Sequence, residues 1–193
     1  MYIKSVSFLN DVRCFNKGES FLFADINLLV GDQGSGKSTL LDLLSKNDRD
    51  IEVALTPRGE SGVDTFFFDA EKMNPRMNDP QNYTNPNGTN CGIGYGRALL
   101  SRFKSHGEVL VGFTIDALKR AENSVIFLDE PESSLSLRNQ FRLAEEIKGA
   151  AKRNCQLVVA THSLIMIQSV PQVLSLEYRK WMGSRRFINH NRR

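Results

Sequence analysis

The sequence predicts an α/β domain built on one mostly parallel sheet flanked by helices. Short apolar runs alternate with amphipathic helical patterns along the 193 residues, as in a sheet covered by helices. Three of the runs, Ile26 to Val30, Val125 to Leu128 and Leu157 to Ala160, each pass at their C-terminal ends into polar residues. In open parallel sheets that edge is where ligands bind.

The length suits a single full α/β domain. Hydrophobic residues make up 40% and charged residues 24% of the chain, the balance of an ordinary globular protein. The longest apolar runs, among them Phe66 to Phe68, are far shorter than a membrane span. The opening MYIKSVSFLNDVR lacks the apolar segment of a signal peptide. A cytoplasmic protein without membrane insertion is therefore expected. Cys14, Cys91 and Cys155 are widely separated and lack CxxC spacing, which predicts unpaired thiols in a reducing compartment.

Residues 73–96 (MNPRMNDPQNYTNPNGTNCGIGYG) are rich in Asn, Pro and Gly, and read as a long surface loop or lid. The net charge of +3 is too small to argue for nucleic acid. Its distribution is uneven, because Tyr178 to Arg193 is basic with no acidic residue. These features divide the chain into a domain over 1–176 and a basic tail over 177–193, either a solvated segment or a nucleic-acid contact.

The segment after the first run supplies the strongest chemical signal. Gly31-Asp32-Gln33-Gly34-Ser35-Gly36-Lys37-Ser38 satisfies GxxxxGK[ST] in full. Glycines let the backbone curl so that successive N–H groups face a chain of phosphates. The helix opening near Gly36, which continues through Thr39, adds the positive end of its dipole. Lys37 is placed to reach the β- and γ-phosphates of ATP, and the Ser38 hydroxyl is a Mg²⁺ ligand. A strand before the loop and the helical STLLDLLSK after it complete the context.

The second run ends in Asp129-Glu130. Beside a phosphate loop, Asp129 would hold Mg²⁺ directly or through water, and Glu130 would polarise an attacking water as general base. Pro131 ends the strand. Alone, the same residues would also suit a strand followed by a helix N-terminus. The third run leads to Thr161 and His162. His162 is a candidate donor to the γ-phosphate, the alternative being a helix-start residue capped by Thr161 or Ser163.

Taken in order, GDQGSGKST, SHGE (Ser105 to Glu108), VIFLDEPESSLS and ATHS resemble the ABC ATPase superfamily. Within it, the chain looks like the stand-alone ATPases near the RecF, SMC and OLD-nuclease branch. The resemblance runs from the VRCF segment to about Leu176. It implies a P-loop fold with a short antiparallel N-terminal sheet and a small lid. It also implies an ATP-dependent homodimer in which Ser105 and the backbone beside Gly107, at the signature motif, contact the γ-phosphate bound to the second copy. Two departures stand out. TFFFDAEK lacks the family's glutamine, leaving Glu71, then Asp69, as nearest equivalents for a Mg²⁺ contact. SSLS ends in Ser136, where the family has aspartate. Arg13 lies where repair-branch relatives sometimes contact nucleotide, and Phe15 is a candidate for stacking on adenine.

The interval between Lys37 and Ser105 leaves no room for a long coiled coil. Four functional classes remain at this level, one of them a nucleotide-binding scaffold without turnover, against which the intact set Lys37, Ser38, Asp129 and Glu130 argues. An ATP-gated dimerisation switch, acting on DNA or on a separate effector subunit, accounts for all the motifs. A transporter energy subunit is disfavoured by the degenerate signature and the missing glutamine. A small-molecule kinase needs lid arginines, and residues 73–96 contain only Arg76.

Overall fold

The computed structural model describes residues 2–56, 64–69, 114–133 and 135–191. Residues Glu71, Ser105, Gly107 and Glu108, and the segment 73–96 read above as a loop or lid, lie outside the described set.

The chain opens with β1 (Tyr2–Phe8), β2 (Ser20–Leu22), β3 (Ile26–Val30), α1 (Lys37–Lys46), β4 (Ile51–Thr56) and β5 (Asp64–Asp69). After helical residues 114–120 come β6 (Ser124–Asp129), α2 (Leu137–Lys152), β7 (Gln156–Ala160) and α3 (Leu164–Gln168). The chain continues through β8 (Gln172–Ser175), β9 (Lys180–Gly183) and α4 (Ser184–His190). The main sheet has the order β5-β6-β7-β3-β8-β9. Its first five strands are parallel and β9 is antiparallel. A second sheet, β2-β1-β4, is antiparallel. The expected parallel sheet and the short N-terminal antiparallel sheet are both present.

Side chains alternate across each strand, so one apolar run serves two faces. On β6, Val125 and Phe127 join a core with Leu40, Leu41 and Leu44 of α1 and with Val6, Phe8 and Phe21 of the small sheet. Ile126 and Leu128 point the other way, to Leu143 and Ile147 of α2, Met166 of α3 and Phe187 of α4. Both faces are covered, which is why the central strands carry continuous apolar sequence.

Residues 177–191 are not an appendage. β9 pairs with β8 from Gln172↔Gly183 to Ser175↔Lys180, and Met182, Phe187 and Ile188 are buried. Lys180, Arg185 and Arg186 face solvent. The basic composition comes from the exposed face of an amphipathic segment.

Gln156 joins the two sheets. Its Oε1 accepts from the Ile3 N–H at 2.8 Å, and its Nε2 donates to the carbonyls of Ile3 at 2.8 Å and Ala24 at 3.0 Å. Buried Asn27 does the same for the turn before β3, pairing with Ala24 and with the Leu157 carbonyl. Gln156→Ala removes both side-chain bonds to the backbone of buried Ile3 and leaves the Ala24 carbonyl with Asn27 as its side-chain partner. It is expected to cost about 3 kcal/mol of stability, measured as a lower urea midpoint at unchanged slope.

Candidate functional site

The site lies at the C-terminal edge of β3, β7 and β6, and strand register creates it. Leu29 pairs with Ala160, and Ala160 with Asp129, so the three strands end level. Two further bonds extend the pairing past the strands: Thr161 N–H to the Leu29 carbonyl at 3.2 Å, and Glu130 N–H to the Ala160 carbonyl at 3.0 Å. The segments after all three strands therefore converge.

The loop Gly31–Gly36 wraps from β3 into α1. Gly31, Gly34 and Gly36 have φ of 145°, 84° and 101°, values open to glycine and strained for other residues. Space is also short. A Cβ at Gly31 would stand 2.8 Å from Ser35 Oγ. One at Gly36 would run into Cys14 Sγ and come within 2.7 Å of the Phe15 ring. Gln33 and Gly34 are exposed, while the Ser35 hydroxyl is buried without a partner. No side chain caps α1 at Gly36, and no acidic residue stands in its first turn. Its N–H groups and dipole are thus free to meet an anion.

Lys37 is the first residue of α1 and is buried. Its ammonium folds back to donate to the carbonyls of Gly31 at 2.9 Å and Asp32 at 3.0 Å. Burial holds its pKa below the ordinary lysine value, with the nearby charges of Glu130, Asp129, Asp32 and Glu132 opposing that shift. Their negative charge is felt at the ammonium, and a cation is the complement of that charge.

The Ser38 hydroxyl donates to Asp129 Oδ1 at 3.2 Å across 91 residues of sequence. The two ligand types that sequence reading assigned to one cation are therefore adjacent, although β7 separates β6 from β3. Glu130 follows with a left-handed φ of 44°, an uncommon state that the bond to Ala160 holds in place. Its Oε1 lies 3.6 Å from His162 Nε2, and both side chains are about half exposed. The carboxylate and imidazole expected at the ligand edge thus face each other beside the loop. Ser163, not Thr161, caps α3, its Oγ accepting from the Met166 N–H at 3.3 Å.

Other residues fall differently. Thr39 is engaged by Arg13, whose guanidinium donates to its hydroxyl at 3.1 Å, with Arg13 itself at φ 52°. Phe15 is not an exposed stacking platform. It is buried, stacked on Phe8 at 4.4 Å and covered by the Arg179 guanidinium 4.6 Å from its centroid. Its work is packing beneath Gly36. Ser136, in place of the family's aspartate, is the N-cap of α2 and accepts from the Asn139 N–H. Asp69 ends β5 in register with Asp129.

Sequence reading missed Glu132. Its carboxylate is buried and accepts hydrogen bonds from Thr161, His162 and Ser163. Its place after Pro131 is the only local signal, and nothing in the sequence tells that it reaches across 29 residues to Thr161.

A glycine-lined loop opening an uncapped helix, with a serine–aspartate pair and a buried lysine beside it, defines a P-loop site. Together with the sheet order and the antiparallel N-terminal sheet, it gives the chain the P-loop fold of ABC-type ATPase heads. A family model described as "AAA domain, putative AbiEii toxin, Type IV TA system" matches residues 100–167, a span that includes Asp129, Glu130 and His162. No curated protein sequence matches the chain. Among solved structures, the SMC head domain from Thermotoga maritima is similar at 14% identity and TM-score 0.61, over 91% of this chain and 94% of that one. The ATP-binding-cassette protein cbiO1 from Clostridium perfringens, part of the transporter complex cbiONQ, aligns at 14% identity and TM-score 0.55, over 91% and 84%. A metal-chelate type ABC transporter in an inward-facing conformation aligns at 21% identity and TM-score 0.50, over 89% and 76%. Among the described residues, no helix is long and apolar enough to cross a membrane.

Gly36→Ala combines a disallowed φ with a clash against Cys14 and Phe15. It is expected to cost about 2–4 kcal/mol of stability and to weaken binding of a nucleoside triphosphate at least tenfold, read by thermal unfolding and by equilibrium titration.

Proposed function

We propose that the chain binds ATP with Mg²⁺, hydrolyses it, and uses the cycle as a switch between separate and paired copies. The observation that carries this reading is the Ser38–Asp129 contact of 3.2 Å beside the buried Lys37, at the mouth of the glycine loop. The roles follow from chemistry. Backbone N–H groups of the loop, from Gly31 through Gln33, Gly34, Ser35 and Gly36 to Thr39, receive the phosphates. Lys37 leaves its two carbonyl partners for the β- and γ-phosphates. Ser38 and Asp129 would hold Mg²⁺, with Glu71 the further candidate, and the ion supplies positive charge along the triphosphate. With two protein oxygens from Ser38 and Asp129, phosphate oxygens and water would supply the remaining ligands.

In the hydrolytic step, Glu130 accepts a proton from a water as its oxygen bonds to the γ-phosphorus, and the bond to the β-phosphate oxygen breaks. ADP and inorganic phosphate are the products. His162 donates to the γ-phosphate, so that its position differs between the ATP and ADP states. Ser105 and Gly107 of a second copy would complete the phosphate site, which makes pairing depend on ATP. A role on DNA or with a separate effector, in DNA repair or processing or in a phage-related or defence context, is compatible with the likeness to an SMC head and the AbiEii-type family match. The likeness to two transporter proteins supports a second reading, an energy-coupling subunit for a membrane partner.

Glu130→Gln keeps the shape and removes the base, so hydrolysis is expected to fall by about 10²–10⁴-fold while ATP binding persists. Light scattering with Mg-ATP is expected to give twice the monomer mass for this variant, and the monomer mass once Ser105→Arg is added. A Glu130→Gln protein that stays monomeric with saturating Mg-ATP would sink the switch.

A further inference from the structure

One side chain ties together the two segments that carry Glu130 and His162. Glu132 is only 9% exposed. Its Oε1 accepts from Thr161 Oγ1 at 2.6 Å, from the His162 N–H at 2.7 Å and from the Ser163 N–H at 3.1 Å. Its Oε2 is buried without a partner. Three donors thus converge on one oxygen while the other goes unused. That distribution is poor for solvating a carboxylate and well suited to fixing one loop against another.

The loop after β7 does not need Glu132 merely to start its helix. Ser163 already caps α3, and Thr161 Oγ1 already accepts from the Ser163 N–H at 3.0 Å. What Glu132 adds is a connection to the turn after β6. It lies two residues beyond Glu130 in the segment Glu130–Ser133, closed by the bond from the Ser133 N–H to the Glu130 carbonyl at 2.9 Å. Through it the backbone of His162 is held to the turn that carries Glu130, whose carboxylate stands 3.6 Å from the imidazole.

We infer that Glu132 is a positioning residue, the strut that sets the geometry between Glu130 and His162. It touches no reacting atom and acts through His162. This rests on the hydrolytic function proposed above. Misplacement of a catalytic group by about 1 Å can cost on the order of 10²-fold in rate, so loss of the strut acts on turnover and leaves nucleotide affinity in place.

The test is a double-mutant cycle on the full chain, with ATP turnover and equilibrium binding of a non-hydrolysable ATP analogue measured together. Glu132→Ala is expected to lower kcat about 10–100-fold with analogue affinity within about threefold. Glu132→Gln, whose amide oxygen keeps the three donors, is expected to restore most of the rate. On a His162→Ala background, Glu132→Ala is expected to change kcat by less than about threefold. Equal losses on both backgrounds, or parallel loss of affinity and turnover with Gln no better than Ala, would overturn the inference. Glu132→Asp, one methylene short of the donors, enters the same cycle with the same expectations if the alanine chain does not fold. A wild-type chain that binds but never hydrolyses ATP would refute the proposed hydrolysis instead. The strut is then judged by hydrogen exchange at the His162 and Ser163 amides. Exchange at least tenfold faster in a Glu132 variant upholds it, and unchanged exchange refutes it.

Discussion

The level ending of three parallel strands is the constraint on which the rest of the site depends. Val30, Asp129 and Ala160 come from distant parts of the chain, and pairing of β6 with β7 and β7 with β3 brings their ends to one line. A slip of one residue in either pairing would turn every side chain of a strand to the opposite face. Register is therefore fixed by burial on both faces, with Ile126 and Val159 committed to one core and Phe127 and Val158 to the other. The hydrophobic core thus places the functional edge without Asp129, Glu130 or His162 contributing to it.

From that edge inward, the loop is supported from behind. Phe8, Phe15 and Phe21 form an aromatic cluster. Phe15 and Cys14 lie where any side chain at Gly36 would have to go. Arg179, at the turn between β8 and β9, covers Phe15 and donates to the Cys14 carbonyl. Residues from both ends of the chain thus hold the bend at which the loop becomes a helix. This explains why the small sheet is joined to the main one by buried hydrogen bonds of Gln156 as well as by apolar contact: a sliding sheet would move the loop.

Electrostatics divides the site into a positive cradle and an acidic rim. Lys37 and the first N–H groups of α1 lie on one side, and Asp129 and Glu130 on the other. An anion alone would satisfy the first and meet repulsion from the second. A polyphosphate accompanied by a divalent cation would satisfy both, which is the physical argument for the proposed Mg-nucleotide over a bare anion.

The local chemistry of the site was legible in the sequence because it is encoded locally. The glycines of Gly31–Gly36, Lys37 and Ser38 are contiguous, and each acidic or imidazole residue follows directly on an apolar run. The three strand runs that lead to the site were legible for the same reason, since periodicity is a property of neighbours, whereas the edge strands β8 and β9 were not. What only the tertiary structure decided are relations between segments. They include the role of Glu132, which depends on β6 lying beside β7. They include the burial of Phe15, which depends on the small sheet. They also include the place of residues 177–191, whose basic composition suggested a tail while β9 completes a sheet edge and Met182, Phe187 and Ile188 are buried. Sequence alone determined which groups this protein has available for chemistry. Packing determined which of them meet, because hydrogen bonds and buried contacts across 29 or 91 residues exist only once the strands have found their register.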